Sequence, residues 1–156
     1  MRLYLVRHAH ATTHEEDPLR PLSERGRDVA RKVARWLSDT LADTPGLILH
    51  SPLARSRETA MIIASELKAE DRLEEVDTLL PEDDPLDTLA LLARDERSIL
   101  VVGHEPHLAR LASLLLLGDR DRPLILLKKG AVCCLKSFGQ GEGPWIIEWS
   151  VKPRLL

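Results

Sequence analysis

Three short apolar runs constrain this chain most, because each stops at residues able to hold an anion. Arg2 to Val6 leads into Arg7-His8-Ala9-His10. Leu47-Ile48-Leu49-His50 ends at Ser51-Pro52, shortly before Arg55. Ser98 to Val102 closes on Gly103-His104-Glu105-Pro106. Brief apolar runs bounded by turn signals are what strands buried on both faces require, and such strands belong to parallel sheets covered by helices. Helical patterns alternate with them. Behind Ser23, an expected N-cap, Val29, Val33, Trp36, Leu37 and Leu41 recur at helical spacing until Pro45-Gly46. Ser51-Pro52 reads as the cap and first position of a second helix, to about Leu67, burying Ala60, Met61, Ile63, Ala64 and Leu67. After the loop Pro81-Glu82-Asp83-Asp84-Pro85, a short helix is expected over Leu86 to Ala93. A fourth carries Leu108, Leu111, Ala112 and Leu115 on one face, with Gly118 as its C-cap. Ala131 to Ser137 and Trp145 to Val151 read as an antiparallel hairpin across Gly139-Gln140-Gly141-Glu142-Gly143-Pro144. The expectation is an α/β protein: a three-layer α/β/α sandwich, mostly parallel, with an antiparallel C-terminal hairpin. Its 156 residues suit one domain over 1–156.

The formal net charge of −3 gives no broad attraction to nucleic acid or anionic lipid, so neither is expected as a partner and any basic site must be local. The two cysteines, Cys133 and Cys134, are adjacent: too few for a disulfide framework or a four-ligand zinc site, they read as small core residues. The longest apolar run, Leu114 to Leu117, is far too short to span a bilayer, and no apolar leader opens the chain. No membrane association and a cytoplasmic location are therefore expected.

In open α/β sheets, ligands bind beyond the carboxyl ends of the strands. If the three runs are parallel neighbours, Arg7, His8, Ser51, Arg55 and His104 meet in one crevice, where arginine forks match phosphate oxygens and a helix N-terminus adds its dipole. Taken singly, each is mundane: a strand-end arginine is usually a solvated charge and a lone histidine a hydrogen-bonded bystander. Their coincidence at one sheet edge is the signal.

These residues also carry a resemblance. Leu5-Val6-Arg7-His8-Ala9 resembles the Arg-His-Gly signature of the histidine phosphatase superfamily, which includes the cofactor-dependent phosphoglycerate mutases. Ser51-Pro52-Leu53-Ala54-Arg55-Ser56-Arg57-Glu58-Thr59-Ala60 resembles its Ser-Pro-x-x-Arg-Ala-x-Gln-Thr-Ala segment, and Val101-Val102-Gly103-His104-Glu105-Pro106 its Val-Gly-His-x-Pro segment. The motifs stand in family order. Ala9, Ser56, Glu58 and Glu105 depart from the usual glycine, alanine, glutamine and asparagine. Short length and Arg20-Pro21-Leu22-Ser23 further resemble the SixA-type phosphohistidine phosphatases, and little chain is left for the helical insertion of larger members.

The resemblance implies a phosphoglycerate mutase-like fold and metal-independent phosphatase chemistry without a cofactor. His8 would attack phosphorus and form a phosphohistidine intermediate that water hydrolyses, while Arg7, Arg55 and His104 hold the equatorial oxygens. The neighbouring arginines are expected to disfavour protonation of His8. Arg20 and Ser51 are secondary contacts for phosphate or substrate. Glu82, with Asp83 beside it, is the candidate general acid, although no spacing selects it. A phosphohistidine substrate relieves that demand, because imidazole leaves more readily than an alkoxide. The implied partner is therefore a phosphorylated phosphorelay or phosphotransfer protein. Three alternatives stay open: a small-molecule phosphatase for sugar or nucleotide phosphates, a non-catalytic phosphate-binding module, and a metal-dependent hydrolase built on His8, His10, His104 and His107. His10, His14, His50 and His107 have no assigned role.

Overall fold

A computed structural model describes residues 1–138 and 143–156. The apolar runs form the strands β1 (Arg2–Arg7), β2 (Leu47–His50) and β4 (Ile99–Gly103). Between the last two lies a short strand, β3 (Leu73–Glu75), and β5 (Val132–Ser137) and β6 (Trp145–Val151) follow. All six join in one sheet of order β3-β2-β4-β1-β5-β6. The first four strands run parallel to one another, whereas β5 pairs antiparallel with both β1 and β6. Part of the expected hairpin turn, residues 139–142, lies outside the described residues.

The side-chain period of two sorts the strands onto two cores. Leu3, Leu5, Leu49, Ile99 and Val101 face one side, under α3 (Pro85–Leu92) and α4 (His107–Leu117). Tyr4, Val6, Ile48, Leu100 and Val102 face the other, under α1 (Glu24–Thr40) and α2 (Ala54–Glu66). Helices thus cover both faces, and the chain has the α/β fold the sequence implies. Cys133 and Cys134 are unpaired core residues of β5. Among the described residues, no helix is long and apolar enough to cross a membrane.

Local signals explain most element ends. Ser23 caps α1 by accepting the Gly26 N–H at 3.1 Å, and Gly118, at φ 70°, closes α4 in the left-handed region. Three expectations need correction. The second helix begins at Ala54 rather than Pro52, with Leu53 at its cap position and no side-chain cap bond, since leucine carries no acceptor. Met61 is 52% exposed: about 100° per residue separates it from Ala60, which shares the buried face with Ile63 and Ala64. Strand β3 was not expected. Its Leu-Glu-Glu sequence carries one apolar residue, and pairing with β2 at the sheet edge makes it extended.

Gly26 lets the first turn of α1 lie against the chain leaving β1. A Cβ there would sit 1.9 Å from the His10 carbonyl oxygen. Gly26→Ala is therefore expected to lower stability by about 1–3 kcal/mol. A shift of the urea midpoint to lower concentration checks this, and an unshifted midpoint would contradict it.

Candidate active site

The sheet order places β1, β4 and β2 side by side and parallel, so their carboxyl ends open on the same edge. Register completes the alignment. Arg7 lies opposite Gly103, His50 lies opposite Val102, and the His8 N–H donates to the Gly103 carbonyl at 3.0 Å. The rings of His8 and His104 stand 5.0 Å apart between centroids, inclined at 53°. Thr59 ties α2 to this edge: its hydroxyl donates to the Arg55 carbonyl at 2.8 Å and accepts the Ala9 N–H at 3.2 Å. Arg7, His8, Arg55 and His104 are thus brought together.

Hydrogen bonds assign the ring protons. His8 Nδ1 lies 2.6 Å from the Ala9 carbonyl, which can only accept, so Nδ1 carries the hydrogen and Nε2 keeps its lone pair. His8 is only 5% exposed. Burial, reinforced by the charges of Arg55, Arg7 and Lys129, holds its pKa down to about 4 against the opposing effect of the Ala9 bond. The arginines act as the sequence implied, but burial contributes more. His104 is held down to about 3 by burial, then by His8, Arg55, His107 and Arg7. Its Nε2 lies 2.5 Å from Ser51 Oγ, which also accepts the Leu53 N–H at 3.4 Å. The Ser51 hydroxyl has no other acceptor among the described residues, so its hydrogen goes to Nε2 and the neutral His104 ring carries its own on Nδ1.

Two buried donors at this edge have no partner among the described residues: Arg7 Nε and His104 Nδ1. Arg7 Nη1 is anchored on the Leu127 carbonyl at 2.8 Å. No carboxylate lies within ion-pair distance of Arg7, Arg20 or Arg55 among the described residues. Buried polar groups are ordinarily satisfied, so unpartnered donors beside uncompensated guanidinium groups make an oxyanion site.

The remaining expectations divide. Arg20 lies at the rim, where its charge helps lower the Arg55 pKa below burial's effect alone; its backbone is left-handed, at φ 49°, and its Nε donates to the Thr12 carbonyl. Ser51 is fully buried and its hydroxyl faces His104, so it orients that ring instead of reaching a ligand. Glu82 is exposed, and among the described residues no ion pair holds it. Asp83 Oδ2 accepts the Leu80 N–H at 2.7 Å, and Asp84 caps α3 and pairs with Arg120. The four histidines of the metal alternative do not converge: His10 meets Ser23, and His107 lies between Thr88 and the Asp83 carbonyl. Among the described residues no group of three or more His, Cys, Asp and Glu side chains is placed to hold a metal. His50 Nδ1 donates to the Ser51 carbonyl, and His14 is exposed.

The departures from the family pattern all find local uses. The Ala9 methyl is buried with Leu22 and Ala30. Ser56 Oγ donates to the Val102 carbonyl and accepts the Ser51 N–H, and Glu58 pairs with Arg27. Glu105 accepts the Ala109 N–H at 3.0 Å and the Leu127 N–H at 2.9 Å, fixing the residue whose carbonyl anchors Arg7. Sequence reasoning missed this link, and it missed Lys129 and Arg25. Lys129 stands close enough to Arg7, Arg20, Arg25 and Arg55 for their charges, after burial, to lower its pKa. Nothing in a loop lysine's sequence context announces such a position.

Comparison with known proteins shows the family. The model of the histidine phosphatase superfamily (branch 1) matches residues 3–88, more than half of the chain, and the chain belongs to that superfamily. It is a phosphatase, a hydrolase that works through a histidine nucleophile without a metal. An uncharacterised protein of Picosynechococcus sp. is 34% identical over 140 residues, covering 85% of this chain and 83% of its own. The fold is similar to that of the protein histidine phosphatase SixA complexed with tungstate, at TM-score 0.87 and 24% identity over 99% of both chains. It is also similar to a mycobacterial glucosyl-3-phosphoglycerate phosphatase complexed with VO3, at TM-score 0.75 and 18% identity, over 95% of this chain and 97% of that one.

The depressed pKa values generate a direct test. Burial and nearby cations penalise the imidazolium form, so both rings of the ligand-free protein should stay neutral until the pH falls to about 4 for His8 and about 3 for His104. Added inorganic phosphate, an opposite charge, should move both midpoints upward. Ring-proton NMR titration reads this, and midpoints near the ordinary histidine value without phosphate would contradict it.

Proposed function

We propose that His8 is the nucleophile and that the substrate is phosphohistidine on a protein. His8 Nε2 attacks phosphorus in line with the departing imidazole nitrogen. The phosphorus–nitrogen bond of the substrate breaks as that of the enzyme forms. Water then attacks the phosphoenzyme, releasing phosphate and free His8. Arg7, Arg55 and His104 Nδ1–H hold the equatorial oxygens through both steps, which is a matter of positioning and electrostatic stabilisation. Arg20 stands ready to meet phosphate or peptide at the rim.

The observation that carries the substrate choice is the treatment of acidic side chains around the site. Glu82 is exposed and untethered, while the Asp83 and Asp84 carboxylates are occupied by a backbone N–H and by Arg120. A serine alkoxide or sugar alkoxide needs a proton from a positioned acid as it leaves. Imidazole needs less help, since solvent can protonate its second nitrogen. The segment between α2 and β4 also supports a protein substrate. It is spent on two 3-10 turns, edge strand β3 and the eight-residue α3 packed on α4, with little left to enclose the site. The likeness to a glucosyl-3-phosphoglycerate phosphatase favours a second reading, a small-molecule substrate at the same His8.

Hydrolysis of phosphohistidine, phosphoserine and sugar phosphates by wild type, His8→Ala and Arg55→Ala separates the readings. Wild type should prefer phosphohistidine, His8→Ala should lose turnover on every substrate, and Arg55→Ala should lose roughly 10²–10³-fold in kcat. Equal rates for wild type and His8→Ala would overturn the nucleophile. A wild-type preference for sugar phosphates would select the second reading.

A further inference from the structure

Beside the His8 edge lies a cleft of about 610 Å³ lined by five cations: Lys32 of α1, Lys128 and Lys129 of the loop before β5, and Lys152 and Arg154 near the chain's end. Its other walls are Val29 and Pro153, so its accessible lining is largely apolar with charges at the tips of long stems. No carboxylate lines it. Asp28 and Asp39 belong to an adjoining depression, where Asp28 pairs with Arg31. None of the five cations has an ion-pair partner among the described residues. In a chain with 22 basic and 25 acidic residues, so local an excess of positive charge is a feature of this face and not of the composition.

The cleft is joined to the His8 edge through Lys129 and Gly130. Gly130, at φ 76°, donates its N–H to the Arg7 and His8 carbonyls at 3.0 and 3.2 Å. A Cβ on Gly130 would lie 2.9 Å from Val29 Cγ1 and 3.0 Å from Pro153 Cγ, so the apolar walls close directly on it. Lys129, one residue earlier, faces both ways: it lines the cleft, and its charge reaches His8. Lys129 thus links the cationic lining of the cleft to the His8 site.

We propose that this cleft is a docking site for an acidic, partly apolar surface segment of the phosphorylated protein, flanking the phosphohistidine that enters the His8 site. Carboxylates of the segment meet Lys32, Lys128, Lys152 and Arg154, while an apolar side chain covers Val29 and Pro153. Charge complementarity selects the occupant, and the apolar walls favour a peptide over a nucleic-acid backbone. Such a contact raises the affinity and encounter rate of one class of phosphoprotein without touching the chemistry. The inference rests on the phosphoprotein reading of the preceding subsection.

The test uses synthetic peptides carrying one phosphohistidine, flanked either by Asp, Glu and Leu or by Ser and Gly, together with free phosphohistidine. Wild type should hydrolyse the acidic peptide with kcat/KM about tenfold above the neutral one, mainly through KM, and high salt should shrink the difference. The K32E/K128E/K152E/R154E variant should lose that preference yet turn over free phosphohistidine like wild type, which also certifies its fold. The milder K152E/R154E should lose part of it. A wild type without preference, or a variant that keeps it, overturns the docking site. Binding of the unphosphorylated acidic peptide, read by fluorescence anisotropy with an oligonucleotide as competitor, separates this inference from the substrate assignment. If no phosphohistidine is hydrolysed but the acidic peptide binds wild type and not the variant, the substrate reading fails and the docking site stands. Tighter binding of the oligonucleotide than of the peptide contradicts the assigned occupant.

Discussion

The register of β1 against β4 is the constraint on which the catalytic edge depends. It sets Arg7 opposite Gly103 and lets the His8 N–H take the Gly103 carbonyl, so the two histidine-bearing strand ends arrive level. A one-residue slip would send Arg7 and every apolar residue of β1 to the wrong face of the sheet. Both faces of β1 are buried, with Leu3 and Leu5 in one core and Tyr4 and Val6 in the other, so the core itself enforces that register. Placement of His8, the proposed nucleophile, is thus a consequence of strand packing, not of a flexible loop.

Around that fixed edge, backbone groups do most of the positioning. Ala9 orients His8, Leu127 holds Arg7, and the Ser51 hydroxyl turns His104. Glu105 reaches back to Leu127 and so acts on Arg7 through one intermediate residue. What remains unpartnered is cationic or a buried N–H donor, and the two histidines, neutral by burial, add no further charge. An oxyanion is the species such a site stabilises, and an unprotonated Nε2 beside it is a nucleophile in waiting.

Much of this was legible in the sequence because strands buried on both faces leave an unmistakable apolar run, and the residue that ends the run is placed by geometry. Arg7, His8 and His104 are of this kind, and Arg55 follows as the second residue of a helix whose start Ser51-Pro52 places to within two residues. Other parts were not legible. Strand β3 has the sequence Leu-Glu-Glu and owes its conformation to the neighbouring β2. Ser51 looks like a helix cap by local rules, yet a tertiary contact with His104 claims its hydroxyl. Lys129 and Glu105 act through chain segments far apart in sequence, and no periodicity records such meetings.

The most direct measurement is to trap the phosphoenzyme by rapid acid-free quench during phosphohistidine turnover and to locate the phosphoryl group by mass spectrometry and ³¹P NMR. With Nδ1–H committed to the Ala9 carbonyl, the group should be found on Nε2 of His8 and nowhere else. A phosphoryl group on His8 Nδ1, on another histidine, or on no residue at all would contradict the central claim.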